Sequence, residues 1–271
     1  MTNLSFFAKK ARYENNYKHL LHGSSLIRAE QMSEYLGAKF NPAGGYENDV
    51  CIYIKPSRLL KFAKNSYIDI VDANSLSYIR FLEDNPQLSV IAASQYSYEY
   101  LSKSLKKVVL IPQQHCNFEN ILRHRKEINT VGIIGGLDAF QYSVEDTKEK
   151  LKKIGINLIN ENFYSNRADV VDFYKKIDIQ ITWRPIPHHL KNAMKLYNAA
   201  SFGIPTVGYP ELANKEFEGY YIQATTIDQL IDGVKKLKDN PEYYNEFSKK
   251  IVKKAAEYHI SKIAKLYKNL A

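Results

Sequence analysis

The stretch whose reading decides the fold runs from Asp178 to Pro210: DIQITWRPIPHHLKNAMKLYNAASFGIPTVGYP. Ile179, Ile181 and Trp183 alternate with polar residues, the period-two pattern of a strand. A polar loop follows. Ala193, Leu196, Tyr197, Ala200 and Ser201 then share one stripe, which predicts a helix starting near Lys191. Gly203 stops that helix, and Ile204–Val207, with Pro205 inside it, reads as the next strand. Strand, loop, helix, glycine turn and strand is the unit from which parallel sheets wrapped by helices are built. In open sheets of this kind ligands sit beyond the carboxyl ends of the strands, and the free N–H groups of a helix start favour phosphate. Arg184, His188, His189, Lys191 and Lys195 crowd that turn, so the segment predicts a site for a phosphorylated ligand.

The same alternation extends in both directions. Upstream, strands are expected at Tyr17–Leu21, Val50–Ile54, Tyr67–Val71, Leu88–Ala92 and Val108–Ile111. Helices between them are expected at about 26–36, from Pro56-Ser57 through Ala63, ending near Asn85, and over about 95–105. Residues 120–127 are polar and basic and read as a linker or the opening of a second domain. Beyond it, strands are expected at Thr130–Ile134 and Ile156–Ile159, with helices at about 144–154 and 168–177. Past Pro210 come a short helix at Glu211–Phe217, a short strand at Tyr220–Ile222 and a mostly helical tail. Asp228 caps the first tail helix, Asn240-Pro241 breaks it, and Ile251, Ala255, Tyr258, Ile260, Ile263 and Tyr267 form a mixed amphipathic stripe. The fold class is therefore α/β, with two Rossmann-like domains in tandem, each built on a parallel sheet. The expected division is 1–124 and 125–271, each within the usual domain size of about 100–150 residues.

Composition bounds the function. An apolar content of 45% supports ordinary cores, and a formal charge of +9, from 38 Lys+Arg against 29 Asp+Glu, points to an anionic partner. Many of the lysines lie in helical runs such as 148–153, 235–238 and 249–254, which read as solvated faces. The two cysteines, Cys51 and Cys116, form no metal or disulfide framework, and Cys51 is expected buried and reduced. The N-terminus lacks the apolar stretch of a signal peptide, and no apolar run approaches the roughly 18 residues of a membrane span. The expectation is a soluble cytoplasmic protein, with peripheral membrane contact through basic helices left open.

Lys195-Leu196-Tyr197-Asn198, followed by Gly203-Ile204-Pro205-Thr206-Val207, resembles the nucleotide-sugar segment of GT-B glycosyltransferases, which commonly reads Lys-x-x-Glu and then Gly-x-Pro. The resemblance is specific only in this segment and follows element order elsewhere. It implies two domains whose parallel sheets face across a cleft, a nucleotide-sugar donor bound in the second, the acceptor in the first, and a last helix crossing back onto the first domain. It implies that the acidic position, here Asn198, holds the donor ribose or sugar, and that Lys195 lies near the donor phosphates. A second Glu of many retaining members falls on Leu190. Asn198 can hydrogen-bond hydroxyls but supplies no charge. The resembled enzymes generally neutralise the leaving diphosphate with basic side chains rather than a metal, so no cofactor is expected.

The candidate site follows. Lys195 and Arg184 are the cations placed to stabilise a leaving diphosphate, with Lys191 and Tyr197 beside them. Gly135-Gly136 reads as a diphosphate contact or as a plain turn. His188 reads as a hydrogen-bond partner of phosphate or sugar, or as surface loop. As adjacent residues, His188 and His189 make a poor metal pair, and no metal site is expected. Gly23, Ser24, Ser25 and Arg28 follow an expected strand, where they can touch a ligand or cap a helix. Asp72 reads as a general base on an acceptor hydroxyl or as a helix cap, and Asp69, inside the strand, is less well placed. Gln113, Gln114 and His115 end the last strand of the first domain and line the cleft or form the hinge. Tyr96, Tyr98 and Tyr100 cluster near a helix start without an assigned role.

The function the resemblance implies is transfer of a sugar from a nucleotide-sugar to a hydroxyl on a glycan, lipid-linked or nucleic-acid acceptor. A DNA-modifying glycosyltransferase acting on a hydroxylated base is the variant that the basic charge suits. A nucleotide-sugar epimerase would want more carboxylates than the segment offers. A non-catalytic nucleotide-binding module is the reading that Asn198 and Leu190 favour.

Overall fold

The structure, a computed structural model, describes residues 3–14, 19–57, 60–73, 76–123, 127–136, 139–162 and 164–271. Two parallel sheets organise it. The N-terminal sheet contains β1 (Leu4–Phe7), β4 (Lys39–Phe40), β5 (Val50–Ile54), β6 (Ser66–Asp69), β7 (Ser89–Ala92) and β8 (Val108–Leu110), in the order β4-β1-β5-β6-β7-β8. The C-terminal sheet contains β9 (Thr130–Ile134), β10 (Asn157–Glu161), β11 (Ile179–Thr182), β12 (Thr206–Gly208) and β13 (Ile222–Gln223), in the order β10-β9-β11-β12-β13. In the N-terminal register Ile52 pairs with Phe6 on one side and Tyr67 on the other. All five residues of β5, VCIYI, are buried, as a strand covered on both faces requires.

Helices start where side chains cap them. Ser94 opens α4 (Gln95–Leu101), Ser143 opens α5 (Val144–Lys153) and Asn166 opens α6 (Arg167–Lys176), each accepting from an N–H of the first turn. Thr226 caps α8 (Ile227–Asp239), and Asn240 caps α9 (Pro241–Ala255), whose leading proline has no N–H to leave unpaired. The first helical stretch runs as α1 (Gly23–Ser25), a π-helical turn (Leu26–Glu30) and α2 (Gln31–Leu36), ending at left-handed Gly37. The remaining helices are α3 (Leu76–Glu83), α7 (Met194–Ser201) and α10 (Ile260–Lys268).

The chain's end returns to its beginning. Ile260, Ile263, Ala264 and Tyr267 of α10 belong to the same buried cluster as Leu4, Phe6, Met32 and Ile52. Phe6 and Tyr267 meet edge to face with centroids 5.4 Å apart.

Three expectations are corrected. The first sheet strand is Leu4–Phe7, not Tyr17–Leu21. Residues 17–18 lie outside the described residues, and His19–Leu21 is β3 of a separate antiparallel hairpin with β2 (Arg12–Glu14). A short strand buried on both faces shows no alternation to mark it. The helix expected through Ala63 is not formed at residues 60–63, and 58–59 lie outside the described residues. The Ala63 N–H donates to the Tyr53 hydroxyl at 3.3 Å instead of to a helical carbonyl, and Phe62 packs edge-on against Tyr53. The helix expected to start near Lys191 begins at Met194, preceded by a turn in which Asn192 Oδ1 accepts from the Met194 N–H at 3.1 Å. Of the turn read before α3, Asn74 and Ser75 also lie outside the described residues.

Candidate functional site

A cavity of about 610 Å³ is lined by both halves of the chain. Its walls are the segments just past the ends of parallel strands: Lys55 after β5, Asp72 after β6, Gln113–Cys116 after β8 and Gly135 after β9. A second cavity of about 200 Å³ shares Asp72, Gly135, Lys191 and Lys195 with the first and adds Gly136, Arg184 and Glu211.

Lys195 stands where the two meet, on the first turn of α7. Gly135 has φ +127°, and a Cβ there would come 2.8 Å from Ala139 Cβ, 3.4 Å from Lys195 Cε and 3.6 Å from Lys195 Nζ. The missing side chain makes room for Ala139, and the Lys195 ammonium lies within ordinary contact distance of this bare backbone. Lys195 Nζ reaches the Ala139 carbonyl at 3.4 Å. A buried network fixes the helix behind it: Gln180 Nε2 donates to the Lys195 carbonyl at 3.1 Å and to Thr206 Oγ1 at 3.0 Å, and Gln180 Oε1 accepts from Tyr174 at 2.8 Å.

Across the cavity, Asp72 Oδ1 lies 3.5 Å from Lys191 Nζ, and the Asp72 N–H donates to the Leu190 carbonyl at 2.8 Å. Lys55 flanks this pair. Burial holds its ammonium below the ordinary lysine pKa against the Asp72 charge, with Lys191 adding repulsion. Asn198 lines the cavity, but its Oδ1 already accepts from the Cys116 N–H at 2.8 Å and its amide also bonds the Tyr174 hydroxyl, which leaves one amide N–H as its ligand-facing chemistry. Gln113 Oε1 accepts from Asn192 at 2.9 Å, and Gln114 Nε2 donates to the Ile27 carbonyl at 2.5 Å. His115 is buried, and burial with the neighbouring His259 pushes its pKa down to about 3. Its Nδ1 accepts from the Asn117 N–H at 3.2 Å, so the neutral ring carries its proton on Nε2.

Several candidates sit elsewhere. Arg28 lines neither cavity. It is inside the N-terminal core, with Nε 2.5 Å from Asp69 Oδ2 and NH2 3.0 Å from the Ile111 carbonyl. Tyr197 is also core: it is fully buried, stacks on Tyr258 at 4.1 Å and donates to Glu216 at 2.5 Å. His188 lines neither cavity, while His189 stacks on Tyr100 at 4.4 Å and bonds the Tyr96 hydroxyl at 3.0 Å. Arg184 lines the smaller cavity with its charge matched by Glu211, which accepts from Nε at 2.8 Å. Gly23, Ser24 and Ser25 do line the main cavity, although they follow a hairpin rather than a sheet strand.

Sequence reasoning missed Lys9, His22, Lys55, Asn166 and Arg167 in the cavity wall. The rule that found Asp72, a polar residue just past a strand end, would have found Lys55. Asn166 and Arg167 open a helix after β10 and carry the same signal. Arg167 is held by Glu119 at 2.6 Å and by the Cys116 carbonyl at 2.8 Å. Cys51 and Cys116 are free thiols. Among the described residues no group of three or more His, Cys, Asp or Glu gathers as a metal site, and no helix is long and apolar enough to cross a membrane.

Solved structures share this fold. Anabaena HepE, solved in complex with UDP and glucose, superposes with a TM-score of 0.64 over 99% of both chains at 10% identity. The chain has the GT-B glycosyltransferase fold. Another GT-B relative by structure, the DNA modifying enzyme β-glucosyltransferase, gives a TM-score of 0.60 over 99% of both chains at 11% identity. TarM gives 0.62 at 14% identity over 83% of this chain, which spans 55% of TarM. No family model matches the chain, and no curated protein matches it in sequence. In the GT-B frame the two cavities occupy the crevice at the carboxyl ends of both sheets.

Proposed function

We propose that this GT-B protein is a glycosyltransferase that moves a sugar from a nucleoside diphosphate sugar to an acceptor hydroxyl without a metal ion. The observation that carries the reading is the Lys195 ammonium lying against the side-chain-free backbone of Gly135, where the two cavities join. Residues 125–271 hold the donor and residues 1–124 the acceptor. The diphosphate lies along Gly135-Gly136 and Lys195, and the Asn198 amide donates to a ribose or sugar hydroxyl. Asp72, held by Lys191, accepts the acceptor proton as the new C–O bond forms. The bond from the sugar to the diphosphate breaks, and Lys195 stabilises the charge that the leaving group gains. Arg184, matched by Glu211, shapes the end of the smaller cavity. The protein works in the cytoplasm, with membrane contact where its acceptor is lipid-linked.

The test is a thermal-shift panel of nucleoside diphosphates and their sugars on wild type and Lys195→Ala, followed by transfer assays with and without a chelator. A ligand that binds only the folded chain raises its melting temperature. A selective shift for one nucleotide, weakened in Lys195→Ala, is expected. No shift from folded protein would sink the reading. Asn198, where the resembled enzymes carry Glu, favours one competitor: a binding module of the same fold. Nucleotide binding with no turnover of its sugar would establish that instead.

A further inference from the structure

The proposed transfer leaves one group of cavity residues unused. Lys9, His22 and Lys55 line the N-terminal wall. They come from three separated places: the loop after β1, the left-handed turn at His22 (φ 56°) before α1, and left-handed Lys55 (φ 45°) past the end of β5. Lys9 is exposed and Lys55 half-buried, so positive charge runs from the mouth inward.

The nearby acids each have another cation as their ion-pair partner, and Asp72 and Asp69 act on Lys55 only at longer range. Glu14 pairs with Arg12 at 2.7 Å, Asp69 is locked on Arg28 at 2.5 Å, and Asp72 lies 3.5 Å from Lys191. Among the described residues neither Lys9 nor Lys55 has an ion-pair partner. The crowding registers on His22, whose pKa is lowered by burial and then by Lys9, Arg12 and Lys55, with Glu14 acting weakly against them. Like charges gathered on the wall of a concave site repel one another until an anion enters.

The donor diphosphate does not need this group, since Lys195 and Gly135 lie on the other wall. We infer that Lys9, His22 and Lys55 form an anion subsite that receives a phosphate group carried by the acceptor. This rests on the glycosyltransferase reading for the word acceptor, though not for the binding itself. The shared chemistry is a phosphate ester of a polyol or sugar. Its source is either a small phosphate monoester or a phosphodiester along a polymer.

The experiment follows the His22 imidazole by NMR pH titration in the full chain, its signal assigned by comparison with His22→Gln. Glycerol 3-phosphate is the monoester probe, dimethyl phosphate the diester probe and glycerol the neutral control. An anion in the subsite favours the imidazolium, so the His22 pKa is expected to rise by about 1, saturably. The rise should persist with UDP bound and in Lys195→Ala, which excludes phosphate at the donor wall. Lys9→Gln, an exposed change that leaves the core untouched, should weaken the response several-fold, and Lys9→Gln/Lys55→Gln should abolish it. A response to the monoester supports a small phosphorylated acceptor, and a response to the diester alone supports a polymer. His22 unmoved by both esters, or moved as far in the double variant as in wild type, would overturn the subsite. Loss of UDP binding with the His22 response intact would remove the glycosyltransferase reading and leave the subsite standing.

Discussion

Arg28 and Asp69 form an ion pair closed to solvent: Nε lies 2.5 Å from Oδ2 and both side chains are 0% exposed. Burial alone would lower the Arg28 pKa, but the Asp69 charge and hydrogen bond together with the Tyr267 and Tyr197 hydroxyls more than offset it, so the guanidinium stays charged. Asp69 Oδ1 also accepts from the Val71 N–H at 3.1 Å, and Arg28 donates to the Ile111 carbonyl. The pair therefore ties the first helical stretch to the ends of β6 and β8, the segments that present Ser24, Asp72 and Gln113 to the cavity. Removing one partner leaves an uncompensated buried charge. Asp69→Asn should cost about 3–5 kcal/mol in urea unfolding. Arg28→Met/Asp69→Leu, which removes both charges, should cost less than the single change.

Lys195→Ala tests the donor wall. Its backbone is fixed by Gln180, so truncating the side chain should leave the melting temperature of the free protein nearly unchanged. A charge-assisted contact to phosphate is lost, which should weaken nucleoside diphosphate binding by about 10–100-fold in calorimetry. Equal affinity in wild type and variant would put the diphosphate elsewhere.

Gly135→Ala should harm the same site by a different route. The added Cβ meets Ala139 at 2.8 Å and the Lys195 side chain at 3.4 Å, at a φ of +127° that side chains rarely adopt. Strain of about 1–3 kcal/mol is expected, with lost nucleotide binding on top. Gly219→Ala is the control. It also has positive φ, +78°, but its Cβ would meet nothing within 4 Å. It should lose stability and keep full nucleotide affinity.

These variants mark what could be read from sequence and what could not. Thr130–Ile134 is a strand with the expected bounds, and the β11–α7–β12 unit stands as the opening stretch implies. Both follow from local rules of period, glycine stops and strand ends. The pairing of charges does not. Arg28 finds Asp69 and Arg184 finds Glu211 across the fold, so both arginines looked available when each was already matched. The position of β1 was hidden for a related reason. Phe6 is buried by Tyr267 from the far end of the chain, a partner that no local window contains.

The same long-range packing sets an acid sensitivity. His115 precedes the crossover, its N–H donates to the Tyr258 carbonyl at 3.0 Å, and its ring sits 5.4 Å from that of His259. In the folded chain its pKa is pushed down to about 3, while an unfolded chain titrates at about 6.5. Between those values the unfolded state holds the proton and the folded state does not. Stability should therefore fall as pH drops below about 6.5, approaching about 1.4 kcal/mol per pH unit from this group, and should be free of its influence above that value. His115→Gln keeps an acceptor for the Asn117 N–H and cannot titrate. Urea unfolding of both proteins from pH 7.5 to 4.5 should show the variant less stable at the upper end and the gap closing as pH falls. A constant gap would mean that the His115 ring takes up its proton without disturbing the fold. The crossover beside Gln113 and Gln114 would then be looser than its hydrogen bonds imply.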